Sequence, residues 1–218
     1  MKVISGKTNT LPKVLQSQVA SYRYKVFIET LNWDLDAENG EEFDQFDHED
    51  TVYIVSQDEQ GRVNGCARLL PSSRPYLLGE IFPQLALGAP AGASAKAPAN
   101  TDVWELSRFA AVDFNQQSRS PLARFSSPNA VKLMHEAIAC AAAQGARRLI
   151  TVSPIGIERL LRRVGLHAHR ADPPMIVDGH PIFACWIDVL APRRISEAAH
   201  ARRSFPLIFS DRANACGN

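Results

Sequence analysis

What this chain of 218 residues lacks excludes several classes of protein before any motif is considered. It has four cysteines, Cys66, Cys140, Cys185 and Cys216, and none stands in a C-x-x-C pair. That argues against a disulfide framework and a zinc site, and it suits a reducing compartment. His167 and His169 alternate as they would in a strand, but no third ligand lies at a useful spacing, so no metal is expected. No apolar run approaches the ~20 residues of a membrane span, and no signal peptide opens the chain; the expected location is the cytoplasm. Net charge is only +1, which favours neither nucleic acid nor a membrane surface as partner. There is no G-x-S-x-G, no P-loop and no G-x-G-x-x-G, so the serine-hydrolase elbow and the common nucleotide cradles are absent as well.

What is present is an ordinary globular composition, 45% hydrophobic and 22% charged, long enough for one good core. A single domain over 1–218 is expected, with its core at about 10–190 and a tail after about 192 that is weakly patterned and partly disordered. Leu15, Val19, Tyr22 and Val26 recur at helical spacing and predict a helix from Val14 to Leu31. TVYIVSQ and VNGCARLL, joined by DEQGR, predict an antiparallel hairpin. The Ala-, Pro- and Gly-rich Leu87–Asp102 reads as a loop before the strand VWELSRFAAV, and DFNQQSRSPLARFSSP as a second loop. A helix from Asn129 to Gln144 stops at Gly145, followed by the strand RRLITVS, the helix IGIERLLRRV and the strand FACWIDVL. This order predicts an α/β class, an α/β/α sandwich with a mixed sheet, and is compatible with the splayed sheet of the GCN5-related N-acetyltransferase fold. Fold alone gives no function.

Charge is unevenly spread. Asp34, Asp36, Glu38, Glu41, Glu42, Asp44, Asp47, Glu49 and Asp50 form an acidic belt, and Arg147, Arg148, Arg159, Arg162, Arg163 and Arg170 a later basic region. Arg23 and Phe27 share one side of the first predicted helix, and Trp33 follows it. A guanidinium fork suits a carboxylate, and aromatic faces suit a nucleobase or a cation. A ligand bearing a carboxylate, an amine, a positive centre and a base, such as S-adenosyl-L-methionine, would use all three. The bland alternative makes Phe27 and Trp33 core residues, Arg23 a salt-bridge partner and the acids a solvated turn. WELSRFA is more pointed, because Glu105 and Arg108 among apolar neighbours are costly to bury unless paired or used. Glu105 can act as a general base toward an amine, or form a structural pair with Arg108. In a regular strand Glu105 and Ser107 share a face that Arg108 does not, so one common site requires that the strand be bulged or end there. Cys66, beside Arg68, has no evident histidine partner and reads as a buried structural thiol.

Taken together, YRYKVF, NWDL with Trp33, FDQFD with Asp44 and Asp47, GCARLLP with Arg68, and WELSRFA with Glu105 and Arg108 form an ordered set. This set resembles that of LuxI-type acyl-homoserine-lactone synthases, the autoinducer-producing enzymes of quorum sensing, from about Tyr22 to Val189. The resemblance implies two half-reactions. The amine of S-adenosyl-L-methionine attacks the thioester of an acyl-acyl carrier protein. The methionyl carboxylate then closes the lactone and expels 5′-methylthioadenosine. S-adenosyl-L-methionine is thus a consumed substrate, and no cofactor is expected. The catalytic set implied is Glu105, Arg108, Arg68, Asp44 and Asp47, with Arg23, Phe27, Trp33 and Arg108 holding S-adenosyl-L-methionine. An acyl pocket is implied along Ser107, Met134, Leu149, Thr151, Ser153, Ile157 and Leu161, with chain length and the substituent at carbon three left open. Arg147, Arg148, Arg159, Arg162, Arg163 and also Arg170 would dock the acidic carrier protein, or else are solvated helix charges. No nucleic acid and no membrane insertion are implied, and the assembly expected is a monomer or weak dimer. Two rivals remain: an acyl-CoA-dependent N-acetyltransferase and a non-catalytic adenosyl-metabolite sensor. SRSPLARFSSPN, which stands where a glycine-rich pyrophosphate loop would precede the central helix, has no glycine and counts against coenzyme A.

Overall fold

In the computed structural model, residues 2–86, 97–114, 127–177 and 179–189 are described. The tail after 192, most of the Leu87–Asp102 loop and most of the loop before the central helix lie outside them.

The alternating apolar segments form one mixed sheet, and strand parity decides what each side covers. Its strands are β1 (Lys2–Lys7), β4 (Val52–Gln57), β5 (Val63–Pro71), β6 (Val103–Ala110), β7 (Arg148–Pro154), β8 (Ala168–Arg170), β9 (Met175–Val177) and β10 (His180–Asp188). Among the described residues the order is β1-β4-β5-β6-β7-β10-β8, with β9 added to β10. All pairings are antiparallel except β6–β7. The parallel ladder joins only Val103, Trp104 and Glu105 to Arg148, Leu149 and Ile150. Beyond Glu105 and Ile150 the two strands part, and this is the splay the sequence led us to expect.

Ile54, Ala67, Leu69, Leu106, Leu149, Phe183 and Cys185 point to one face, which is covered by α3 (Pro128–Ala143) and α4 (Ile157–Arg163). Helix α3 starts on Ser127, whose Oγ accepts from Ala130 N at 3.1 Å, with Pro128 in the first turn. It stops at Gly145, whose φ of 87° is the left-handed conformation that glycine adopts most readily. The opposite face carries two separate apolar clusters. Val55, Cys66 and Ala110 pack with Leu15, Val19 and Tyr22 of α1 (Lys13–Arg23). Leu70, Val103, Ile150 and Ala184 pack with Phe46 and with Leu78 of the short α2 (Leu77–Glu80). Between these clusters the same face of β5 and β6 presents Arg68, Glu105 and Ser107, all buried.

The predicted first helix does not run unbroken to Leu31. After Arg23 the backbone widens into a π-helical stretch, Tyr24–Thr30. Trp33 N then donates to the Phe27 carbonyl at 2.9 Å, turning the chain back on itself. Such widened turns are frequent at functional sites. A second departure is the hairpin of β2 (Ala37–Glu38) and β3 (Glu41–Glu42) inside the acidic belt. Asn39 and Gly40 both have positive φ, 53° and 77°, as a two-residue hairpin loop requires.

Candidate active site

The hairpin delivers one acid to the interior. Glu42 is 0% exposed, whereas Asp34, Asp36, Glu38 and Glu49 stay on the surface. Following it, Asp44 and Asp47 close a turn, with Asp44 N donating to Asp47 Oδ2 at 2.9 Å and Phe46 N to Asp44 Oδ1 at 2.9 Å. These three carboxylates meet the three arginines singled out in the sequence. Arg23 donates to Glu42 through Nε at 2.5 Å and Nη2 at 2.9 Å, and to Asp47 Oδ2 through Nη1 at 2.9 Å. Arg68 donates to Asp44 at 2.5 and 2.9 Å, to Asp47 Oδ1 at 2.8 Å, and through Nε to Ser107 Oγ at 3.0 Å. Arg108 donates through Nη2 to Glu42 Oε1 and Asp44 Oδ2, both at 2.9 Å. Tyr53 bridges Asp47 and Arg23 with its hydroxyl.

The network is buried, so pairing decides its protonation. Burial pushes the Asp47 carboxyl up, but Arg23 and Arg68 outweigh it and hold it well below the usual carboxylate range. Burial opposes the charged form of Arg68, but Asp47 and Asp44 more than reverse that and raise its pKa. Burial drives the Tyr53 phenol far above its ordinary range, so it stays a donor.

Of the two ways the sequence left open, a bulge or a strand end, the structure has the bulge. Arg68 faces Ser107 and Cys66 faces Ala110, so the register shifts between Cys66 and Arg68 and two residues of β6 oppose one of β5. Arg108 is in the left-handed region, with φ 49°, which is uncommon for a side chain of its size. Phe109 packs toward α3, while Arg108 swings to the face of Arg68 and Ser107.

Glu105 is 0% exposed and sits two residues before Ser107 on the same face. It makes no ion pair with Arg108 among the described residues; its oxygens accept from Leu78 N at 2.7 Å and Leu77 N at 3.1 Å, at the start of α2. Burial raises its pKa to about 7, opposed by those two N–H groups and by Arg68. A carboxylate poised near neutrality suits proton transfer at physiological pH.

The aromatic pair is also assembled. Phe27 is buried, with Trp33 stacked on it at 5.0 Å between ring centres and the Arg108 guanidinium carbon 5.5 Å from its ring centre. Trp33 is 43% exposed and can offer a face to a ligand, while Phe27 supports it from within. Of the expected acyl pocket, Leu149, Met134 and Leu161 lie in the core on the α3–α4 side, Ile157 packs against them, and Thr151 and Ser153 follow Leu149 at strand spacing. Ser107 departs from that expectation: it stands on the opposite face of β6, held by Arg68, at the edge of the splay. The basic region does not behave as one set. Arg162 is tied to Glu158 and the Ala168 carbonyl, Arg170 to Glu158 and the Phe183 ring, and Arg148 to the Trp186 ring. Arg147, Arg159 and Arg163 are exposed and have no ion pair among the described residues. No group of three metal-ligating side chains occurs among the described residues.

Two side chains of this network are not singled out by the sequence. Glu42 stands in sequence among the acids of the belt, and only Asn39-Gly40 in ENGE, a strong hairpin signal, sets it apart. Tyr53 has only the pattern of a strand residue, and its pairing opposite Arg68 carries no sequence signature.

A splayed mixed sheet with a general-base candidate beside the splay defines the class: an acyltransferase fold of the N-acetyltransferase type. A putative N-acetyltransferase from Lactobacillus plantarum, at 16% identity, shares that fold with a TM-score of 0.53, covering 87% of this chain and 98% of its own. The autoinducer synthase family model matches residues 8–194. The chain is 52% identical over 189 residues to an acyl-homoserine-lactone synthase of Acinetobacter nosocomialis, spanning 87% of this chain and 100% of that one. A crystal structure of TofI in a ternary complex with an inhibitor and MTA shares 43% identity and a TM-score of 0.71, over 87% and 92% of the two chains. The CoA-dependent acyl-homoserine lactone synthase BjaI, solved with SAM and isopentyl-CoA, shares 25% identity and a TM-score of 0.70, over 86% and 82%. The chain therefore belongs to the autoinducer synthase family, as an acyl-homoserine-lactone synthase.

Proposed function

We propose that this synthase makes its lactone from S-adenosyl-L-methionine and an acyl chain carried on acyl carrier protein, with 5′-methylthioadenosine as by-product. The observation that carries the reading is the buried network beside Glu105. Arg23, Arg68 and Arg108 balance Glu42, Asp44 and Asp47 charge for charge, so an ionised Glu105 leaves one negative charge in excess. S-adenosyl-L-methionine, with ammonium, sulfonium and carboxylate, carries one positive charge and complements it. Asp44 and Asp47 orient the guanidinium groups, and the Arg108 and Arg23 side chains receive the methionyl carboxylate. Trp33, braced by Phe27, covers the adenosyl end.

Glu105 takes the proton that the substrate amine must lose before it attacks the thioester. The thioester enters the gap where β6 leaves β7, and backbone groups on the parted strand edges polarise its carbonyl. The acyl tail then runs toward Met134, Leu149, Thr151, Ser153, Ile157 and Leu161, while Ser107 stays with Arg68 at the mouth. The second half-reaction already has a good leaving group, so the arginines chiefly fold the methionyl chain for ring closure. The synthase consumes S-adenosyl-L-methionine and needs no resident cofactor. The carrier protein docks on exposed arginines, Arg147, Arg159 and Arg163 foremost, in the cytoplasm. No helix among the described residues is long and apolar enough to cross a membrane.

The glycine-free SRSPLARFSSPN supports a carrier-protein donor over coenzyme A. Purified protein given S-adenosyl-L-methionine and octanoyl-acyl carrier protein is expected to release lactone and 5′-methylthioadenosine in equal amounts. Efficient turnover with octanoyl-coenzyme A and none with the carrier protein would overturn the choice of donor.

A further inference from the structure

Arg108 is the one site arginine whose own backbone is in an unfavourable conformation, and the fold has to hold it there. Its left-handed φ of 49° costs on the order of 1 kcal/mol or more for a residue with a side chain. The Arg108 carbonyl has a specific partner. Cys66 Sγ lies 3.2 Å from Arg108 O, within the reach of an S–H donor. Cys66 is fully buried opposite Ala110, the first residue after the bulge at which β6 regains its register. Burial pushes its thiol up to about 12, so the donating hydrogen is present throughout the working range. One step further along, the Tyr22 hydroxyl donates to Val112 O at 3.0 Å and accepts from Val112 N at 2.7 Å. The bulge is thus anchored at the Arg108 carbonyl and again at Val112.

We propose that Cys66 is a positioning residue: its thiol holds the Arg108 carbonyl, which keeps the bulge formed and the Arg108 guanidinium aimed into the active site. This rests on the reading of Arg108 as a substrate-binding group. Cys66 touches no substrate, and its thiol does no chemistry. A lost thiol would let Arg108 relax toward the ordinary strand conformation and turn its side chain away from Glu42.

Cys66→Ala and Cys66→Ser remove similar volume from the core, but only serine keeps a donor, so comparing them separates hydrogen bonding from packing. Loss of one such bond is expected to lower kcat for Cys66→Ala by about fivefold to tenfold, with Cys66→Ser restoring most of it. The Michaelis constant for the acyl donor stays within about twofold in both variants, because the thioester does not meet this carbonyl. Combined with Arg108→Lys, Cys66→Ala should add little, as expected for two changes acting through one group. Equal kcat for the alanine and serine variants, or effects that multiply independently with Arg108→Lys, would overturn the role of Cys66 and leave that of Arg108 intact. Full activity of Arg108→Lys would overturn the role of Arg108, and that of Cys66 with it.

Discussion

Arg108 donates to Glu42 Oε1 at 2.9 Å across a separation of 66 residues, and neither side chain is more than 4% exposed. Arg23 engages the same carboxylate, so Glu42 ties the first helix to the bulged strand. Removing it would leave two buried guanidinium groups short of one counter-charge. Glu42→Gln is therefore expected to destabilise the protein by ~3–5 kcal/mol, the usual effect of breaking a buried pair. Urea denaturation checks the figure, and a loss below about 1 kcal/mol would show that the network relaxes around the change.

Glu105 makes stability depend on pH in a direction opposite to that of Asp47. Its folded-state pKa is raised from 4.5 to about 7, so the unfolded chain releases this proton more readily. Its contribution is fully present below pH ~4.5 and is lost as pH rises through ~7, a change of about 3 kcal/mol. Asp47, whose pKa is depressed, contributes above its ordinary range and loses that contribution on acidification. The stability of wild type minus that of Glu105→Gln, followed by denaturation from pH 5 to pH 8, should fall up to about pH 7 and level off above it. A flat difference would place Glu105 in a wetter setting than its burial shows.

Carrier-protein docking through exposed arginines should weaken with salt. Arg159 and Arg163 lie four apart on α4 and are not committed to an ion pair within the described residues. The double variant Arg159→Ala/Arg163→Ala is expected to raise the Michaelis constant for acyl-acyl carrier protein by about tenfold at low salt, leaving that for S-adenosyl-L-methionine unchanged. The wild-type value should rise toward that of the variant as salt is added. Equal values for wild type and variant at low salt would move docking to another surface.

Much of this arrangement was legible because it follows from local pattern. Strand parity put Glu105 and Ser107 on one face, and for Arg108 to join them the strand had to bulge or end there; the register shows the bulge. The stop at Gly145 followed from turn chemistry and the mixed sheet from element order, whereas the place of the splay, between β6 and β7, shows only in the register. What could not be read depends on pairing across long separations. That Glu42, 66 residues from Arg108, is the acid turned inward depends on the hairpin at Asn39-Gly40 and on how it docks. The widening of the first helix after Arg23 leaves no periodic trace either, since Leu15, Val19, Tyr22 and Val26 keep helical spacing up to and into it. Which exposed arginines remain uncommitted was equally invisible, because Glu158 chooses Arg162 and Arg170 through the packing of α4 on β8.

The central claim is that Glu105 is the base for amide formation, and single-turnover kinetics test it most directly. Enzyme preloaded with S-adenosyl-L-methionine is mixed with acyl-acyl carrier protein, and acylated product is followed in wild type and Glu105→Gln across pH 6 to pH 9. The account predicts a wild-type rate that rises with pH as Glu105 ionises in the complex, and a variant that, even when saturated with S-adenosyl-L-methionine, forms amide at least ~100-fold more slowly. Equal rates of amide formation in the two proteins would contradict it.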